Sequence, residues 1–107
     1  MKTRLFSTLA ALVLVVALPA FAAGPDGPAL YKAKCAMCHG ADGSGQTPVG
    51  KSMKVRDLRS AEIQKQTDIE LTKLISGGKG KMPAFGQKLT TAEIQSVIAH
   101  IRTLKSK

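Results

Sequence analysis

Cys35-Ala36-Met37-Cys38-His39 is the stretch on which the rest of the chain is read. Two cysteines three positions apart lie about one helical turn from each other, so both sulfurs project from one face toward a single flat object. The C-x-x-C-H run reads as the attachment site of a c-type haem. In that reading Cys35 and Cys38 form thioethers with the two porphyrin vinyl groups, and the His39 imidazole binds the iron. The competing readings are a redox dithiol, a structural disulfide and half of a zinc site. A zinc site needs a second pair of ligands, and the chain has only 2 cysteines. A thioredoxin-like site is expected in a βαβ frame, and the sequence shows none.

Upstream of this stretch, Lys2 and Arg4 form a positive start, Leu5 to Leu18 is almost wholly apolar, and Ala20-Phe21-Ala22 is an A-x-A cleavage site. Residues 1–22 are therefore expected to be a cleaved secretory signal peptide, leaving 23–107 as one domain exported to the periplasm. The apolar run falls short of the roughly 20 residues that span a bilayer, and no later segment is longer, so the mature protein is expected not to cross a membrane. In an oxidising compartment two bare thiols tend to become a disulfide, a fate that thioether bonds avoid.

The mature chain is short of bulky residues, with Tyr31 and Phe85 as its aromatics and no tryptophan. Domains this small rarely bury enough apolar surface without a staple, and a covalently held porphyrin supplies one. The formal charge of +9 falls to +7 once Lys2 and Arg4 are gone. That excess points to acidic partners. It does not point to nucleic acid, because there is no dense basic run and no aromatic stacking platform.

Downstream of the leader, Gly24 to Pro28 reads as a loop, and Pro28 suits the first turn of a helix running into the cysteines and ending at Gly40. Ala29, Leu30 and Ala33 are expected on its buried side, with Tyr31 beside them. Residues 40–57 carry Gly40, Gly43, Gly45, Pro48 and Gly50 and read as an irregular loop around the proximal side of the haem. A ligating histidine normally donates its other ring nitrogen to a carbonyl, and Pro48 is the candidate acceptor. A short helix is expected around Ala61 to Lys65. Thr67-Asp68-Ile69-Glu70 is a capping box opening a clearer helix, with Ile69, Leu71, Leu74 and Ile75 as its apolar side and Gly77 and Gly78 as its end. Thr90-Thr91-Ala92-Glu93 is a second box, and Ile94, Val97, Ile98, Ile101 and Leu104 then recur at helical spacing. No stretch alternates with period two, so the fold is expected to be all-α.

Between these helices lies Lys79-Gly80-Lys81-Met82-Pro83-Ala84-Phe85-Gly86. A methionine in a loop stiffened by the following proline suits a sixth iron ligand, a soft thioether on a segment that cannot drift. The competing role is a core-filling methionine. Met53 is a substitute of lower standing, and His100, at the edge of the terminal apolar stripe, reads as a packed or half-exposed histidine rather than a ligand.

Cys35-x-x-Cys38-His39 near the start, Met82-Pro83 in a late loop and a terminal helix together resemble a class I cytochrome c over nearly all of residues 25–105. Gly27 and Tyr31, eight and four residues before Cys35, match the family's first-helix positions that cross the terminal helix, where Val97 is the apolar contact. The family usually carries an aromatic where His100 stands. The resemblance implies three to four short helices wrapped around one covalent haem c, His39 and Met82 as axial ligands, and a monomeric one-electron carrier that is not an enzyme. Its partners would be an oxidase, reductase or dehydrogenase with an acidic docking surface, met by Lys79, Lys81 and Lys88 around the haem edge. The alternative is a five-coordinate haem protein, a gas sensor or weak peroxidase, which requires that Met82 not bind.

Overall fold

Asp26 begins the first helix by accepting the Ala29 N–H at 3.1 Å, and Pro28 stands in the first turn, where a missing N–H costs nothing. The computed structural model describes residues 3, 8–17 and 24–104. The expected cleavage motif, Ala20-Phe21-Ala22, lies outside them. Among the described residues six helical segments follow in order: α1 (Gly27–Lys34), α2 (Ala36–His39), α3 (Pro48–Met53), α4 (Ala61–Gln64), α5 (Asp68–Gly77) and α6 (Thr91–Thr103). Three of them have eight residues or more, in line with the expected number of principal helices. Among the described residues there is no strand, only an isolated bridge between Lys79 and Met82.

The first helix crosses the last at Gly27. A Cβ placed there would run into the Ser96 carbonyl, so the two backbones touch where a side chain cannot fit. Gly27 and Tyr31, one turn apart, therefore face α6 and are buried, whereas Ala29 and Ala33 are exposed and Leu30 is half-buried. The expected buried set is corrected accordingly: close approach at the glycine, not the run of alanines, sets the helix's rotation.

Residues 48–53 are helical, not irregular. Thr47 accepts the Gly50 N–H at 2.8 Å as an N-cap, and Pro48 is the first helical residue, so the pair starts a helix that Lys54, in the left-handed region at φ 53°, then closes. Both predicted capping boxes form reciprocally, Thr67 with Glu70 and Thr90 with Glu93. On α5, Leu71 and Ile75 are buried, but Ile69 is 70% exposed and stands off the apolar side assigned to it.

The core is Tyr31 with Ile63, Leu71, Ile75, Phe85, Leu89, Ile94, Val97, Ile98 and Ile101. Arg102 ties α6 to the α4–α5 connection, donating to the carbonyls of Gln64 at 3.0 Å and Gln66 at 2.5 Å and to the Asp68 carboxylate at 2.8 Å. The exposed ion pair with Asp68 contributes little by itself, so the carbonyl bonds carry the effect of this clamp. Leu9 and Leu12 to Val16 are largely exposed and belong to no part of this core.

Candidate haem site

The cysteine-bearing turn is held from several directions. The Cys35 N–H donates to the Tyr31 carbonyl at 2.8 Å, the helix breaks at Cys35, and α2 then carries Cys38 and His39 to Gly40 at φ 81°. Gly45 N–H donates to the His39 carbonyl at 2.7 Å. The Thr47 hydroxyl reaches the carbonyls of Met37 and Cys38 at 2.8 and 3.2 Å. Gly50 is packed so closely that a Cβ would collide with the carbonyls of Cys38 and Gly45. Glycines that read as loop-formers in the sequence thus serve as close-contact points against the turn.

Met82 comes from elsewhere in the chain. Its N–H and carbonyl pair with the carbonyl and N–H of Lys79 at 2.9 and 3.1 Å, making a tight turn over Gly80 and Lys81. Gly78, at φ 73°, lies under that turn, where a Cβ would come within 2.7 Å of the Met82 carbonyl oxygen. Phe85 and Gly86 then anchor the segment, donating to the carbonyls of Ile75 and Ser76 at 2.9 and 3.1 Å.

These two segments border one cavity of about 600 Å3. Cys35, Cys38, His39 and Met82 all line it, and the rest of its wall is mostly apolar, including Leu58, Ile63, Leu71, Leu74, Ile75 and Ile101. Its size lies within the roughly 300–1,000 Å3 of small-molecule and cofactor sites. Lys34, Lys54, Arg56, Lys79 and Lys81 also border it and are exposed. Lys88 does not; its ammonium sits 5.4 Å from the centre of the Phe85 ring, so the basic rim runs through Lys34 and Lys54 instead.

The titration behaviour of the site separates the competing chemistries. Burial pushes the Cys35 thiol up to about 11, and the neighbouring Cys38 sulfur adds to this. A dithiol oxidoreductase needs the opposite, a thiol of lowered pKa. Cys35 and Cys38 are not joined to each other by a disulfide, and among the described residues no other cysteine, histidine or carboxylate gathers with them as the further ligands that a zinc site needs. Burial holds His39 below the ordinary imidazole value, outweighing the opposing effect of the Arg56 carbonyl, so the ring is kept neutral as a ligand must be. Its buried Nδ1 has no partner of full hydrogen-bond geometry. The expected acceptor, Pro48, is corrected: it is exposed as the first residue of α3, and no hydrogen bond joins its carbonyl to His39. Two thiols, a neutral imidazole and a thioether around one apolar cavity fit a haem.

A family model described as cytochrome C oxidase, cbb3-type, subunit III matches residues 22–101. Cytochrome c6 of Synechococcus sp. strain PCC 6312 is 34% identical over 106 residues, covering 98% of this chain and 92% of its own length. The chain belongs to the class I c-type cytochromes. Cytochrome c6 of Picosynechococcus sp. strain PCC 7002 is 32% identical, over 88% of this chain and 85% of its own. Among solved structures, the KustC0563 c-type cytochrome superposes with a TM-score of 0.70 at 34% identity, covering 76% of this chain and 99% of that one. As a c-type cytochrome the chain carries one covalent haem c and transfers electrons rather than catalysing a reaction on a substrate. Residue type and spacing do not reveal what holds the cysteine-bearing turn of this cytochrome, namely the Tyr31 and Thr47 hydroxyls. The signal for Thr47 was available, since Thr-Pro is a helix start.

Proposed function

We propose that this cytochrome is an exported one-electron carrier in which Cys35 and Cys38 tether the haem and His39 and Met82 hold its iron from two sides. The observation that carries this reading is the single cavity bordered by all four side chains. When bound, the haem supplies a reversible one-electron change at iron. Cys35 and Cys38 keep it in place through loss of either axial ligand. His39, kept neutral by burial, offers a nitrogen lone pair. Met82 offers a neutral thioether from a turn fixed by its pairing with Lys79. If His39 and Met82 both bound the iron they would leave no room there for a substrate or gas, and the apolar wall would limit the water that must reorganise as charge changes.

Lys34, Lys54, Lys79 and Lys81 form a positive rim around the cavity mouth, with Met37 76% exposed beside it. Such a rim steers docking onto acidic surfaces of an oxidase, reductase or dehydrogenase. The family description names an oxidase subunit, and the FixP subunit of Azorhizobium caulinodans is 28% identical over 82 residues, with 27% of its length covered. An oxidase is therefore a natural acceptor class. Residues 1–22 act as the export signal, supported by the exposure of Leu12 to Val16 outside the core; among the described residues no helix is long and apolar enough to cross a membrane. The mature protein works in the periplasm as a monomer.

The test is an absorption spectrum and intact mass of periplasmically expressed protein. Haem that survives acid-acetone extraction, on a chain beginning at Ala23, is expected. Loss of the colour on extraction would overturn the tether. Ferrous protein is expected to resist carbon monoxide, and ready binding would instead establish the five-coordinate alternative.

A further inference from the structure

Tyr31 bonds to both ends of the haem-binding turn. Its carbonyl accepts the Cys35 N–H at 2.8 Å, and its hydroxyl donates to the Gly40 carbonyl at 2.7 Å, so one residue spans the whole of 35–39. The side chain is 1% exposed and borders the haem cavity. Its ring also stands 4.9 Å from that of His100 on α6, tilted by 52°. The helix crossing needs only a ring at this position. The hydroxyl does something else: it ends on the carbonyl that closes the turn carrying His39.

We propose that the Tyr31 hydroxyl is a positioning group for electron transfer, which by holding the Gly40 carbonyl fixes the His39-bearing turn and sets the reduction potential of the haem. The inference rests on the reading of His39 as an iron ligand. Gly40 is buried and directly follows His39, which lines the cavity, so the negative end of its carbonyl favours the more positively charged, oxidised iron, and a donor on that oxygen offsets the effect. The interior dielectric leaves such dipoles poorly screened. The second donor to this oxygen, Gly43 N–H at 3.1 Å, is longer than the Tyr31 bond and does not replace it. Burial, foremost, raises the Tyr31 phenol above its ordinary pKa, so the group remains a donor at neutral pH.

The chain contains 1 tyrosine, so growth on 3-fluorotyrosine labels only this site and makes its hydroxyl a stronger donor. Tyr31→Phe keeps the ring and deletes the donor. Both proteins are matured in full length, checked for covalent haem, and titrated spectroelectrochemically beside the unmodified chain. Tyr31→Phe is expected to shift the one-electron equilibrium about threefold toward the oxidised form, about 28 mV at 59 mV per tenfold. Fluorotyrosine is expected to shift it the other way, with its single 19F resonance moving between ferrous and ferric protein. Unmoved potentials, or shifts of one sign in both proteins, overturn the proposal, even if Tyr31→Phe lowers the melting temperature. If Tyr31→Phe fails to mature, the fluorotyrosine protein decides: a raised potential supports, and an equal or lowered one overturns. Absence of covalent haem from the unmodified chain would instead bring down the haem reading and this inference together.

Discussion

The two segments that meet at the haem cavity are built differently. The cysteine-bearing turn is bonded to Tyr31, Gly45 and Thr47, and has Gly50 pressed against it, so its place is fixed several times over. The Met82 segment has one backbone bridge, one glycine under it and two anchoring bonds further on, and Lys79, Gly80, Lys81, Pro83 and Ala84 are exposed. The side proposed to bear the covalent attachment is over-determined, while the methionine side depends on a few local bonds. Local opening follows the segment with fewer buried contacts. Ligand loss should therefore occur at Met82, with the haem retained.

The strongest way to break this comparison is Gly50→Ala, whose new methyl would meet the carbonyls of Cys38 and Gly45, backbone atoms that cannot swing aside. We expect a loss of about 3 kcal/mol, at the upper end of overpacking effects, in denaturant unfolding of the haem-loaded protein. A loss below about 1 kcal/mol would mean that the proximal turn is looser than its bonds imply.

Met82→Ala comes next, at about 2 kcal/mol, because the side chain is half-buried and truncation leaves a gap against the core. Its distinguishing effect is chemical: ferrous protein should now bind carbon monoxide readily while the haem stays attached through acid-acetone extraction. If carbon monoxide affinity matches that of the unaltered chain, Met82 is not the ligand.

Thr47→Val removes an N-cap and two side-chain bonds to the turn and should cost about 1–2 kcal/mol. Carbon monoxide binding should stay blocked, since the remaining proximal bonds still hold His39. Ready binding in this variant would erase the contrast between the two segments.

The smallest effect concerns acid. Donors from the Ser44 backbone and hydroxyl hold Asp42 below the usual carboxylate range, and the Arg59 guanidinium does the same for Asp57. Depressed carboxylates add stability above their unfolded pKa of about 3.9, and that stability is lost as pH falls through the lower folded values. In Arg59→Gln the Asp57 contribution is missing from the start. Variant and parent melting temperatures should therefore differ slightly at pH 7 and converge as acid protonates Asp57, below the usual carboxylate range. A gap that widens on acidification would show that Arg59 acts otherwise. The Asp57 carboxylate is only half-buried, so high salt should also shrink the difference.

How legible each part was from sequence depended on how local its cause is. C-x-x-C-H could be read directly, because the attachment chemistry depends on residues within one turn of each other. Both capping boxes were equally legible, being three-residue reciprocal bonds. The helix over 48–53 was missed because its glycine and proline content outweighed the Thr47-Pro48 start signal. Ile69 and the alanines of α1 were misplaced because periodicity gives a helix an apolar side without saying how it is rotated against its neighbour.

Sequence alone determined that the chain is helical, and it named Cys35, Cys38 and His39 as the candidate attachment segment and Met82 as the candidate to meet them, since each follows from residue type and short spacing. Tertiary structure decided the rest. It set the rotation of α1 through backbone contact at Gly27, left Pro48 exposed on α3 instead of bonded to His39, and put Lys34 and Lys54, not Lys88, beside Lys79 and Lys81 at the cavity mouth. These outcomes depend on which distant segments touch, and that is settled by close packing of the whole core rather than by any one stretch of it.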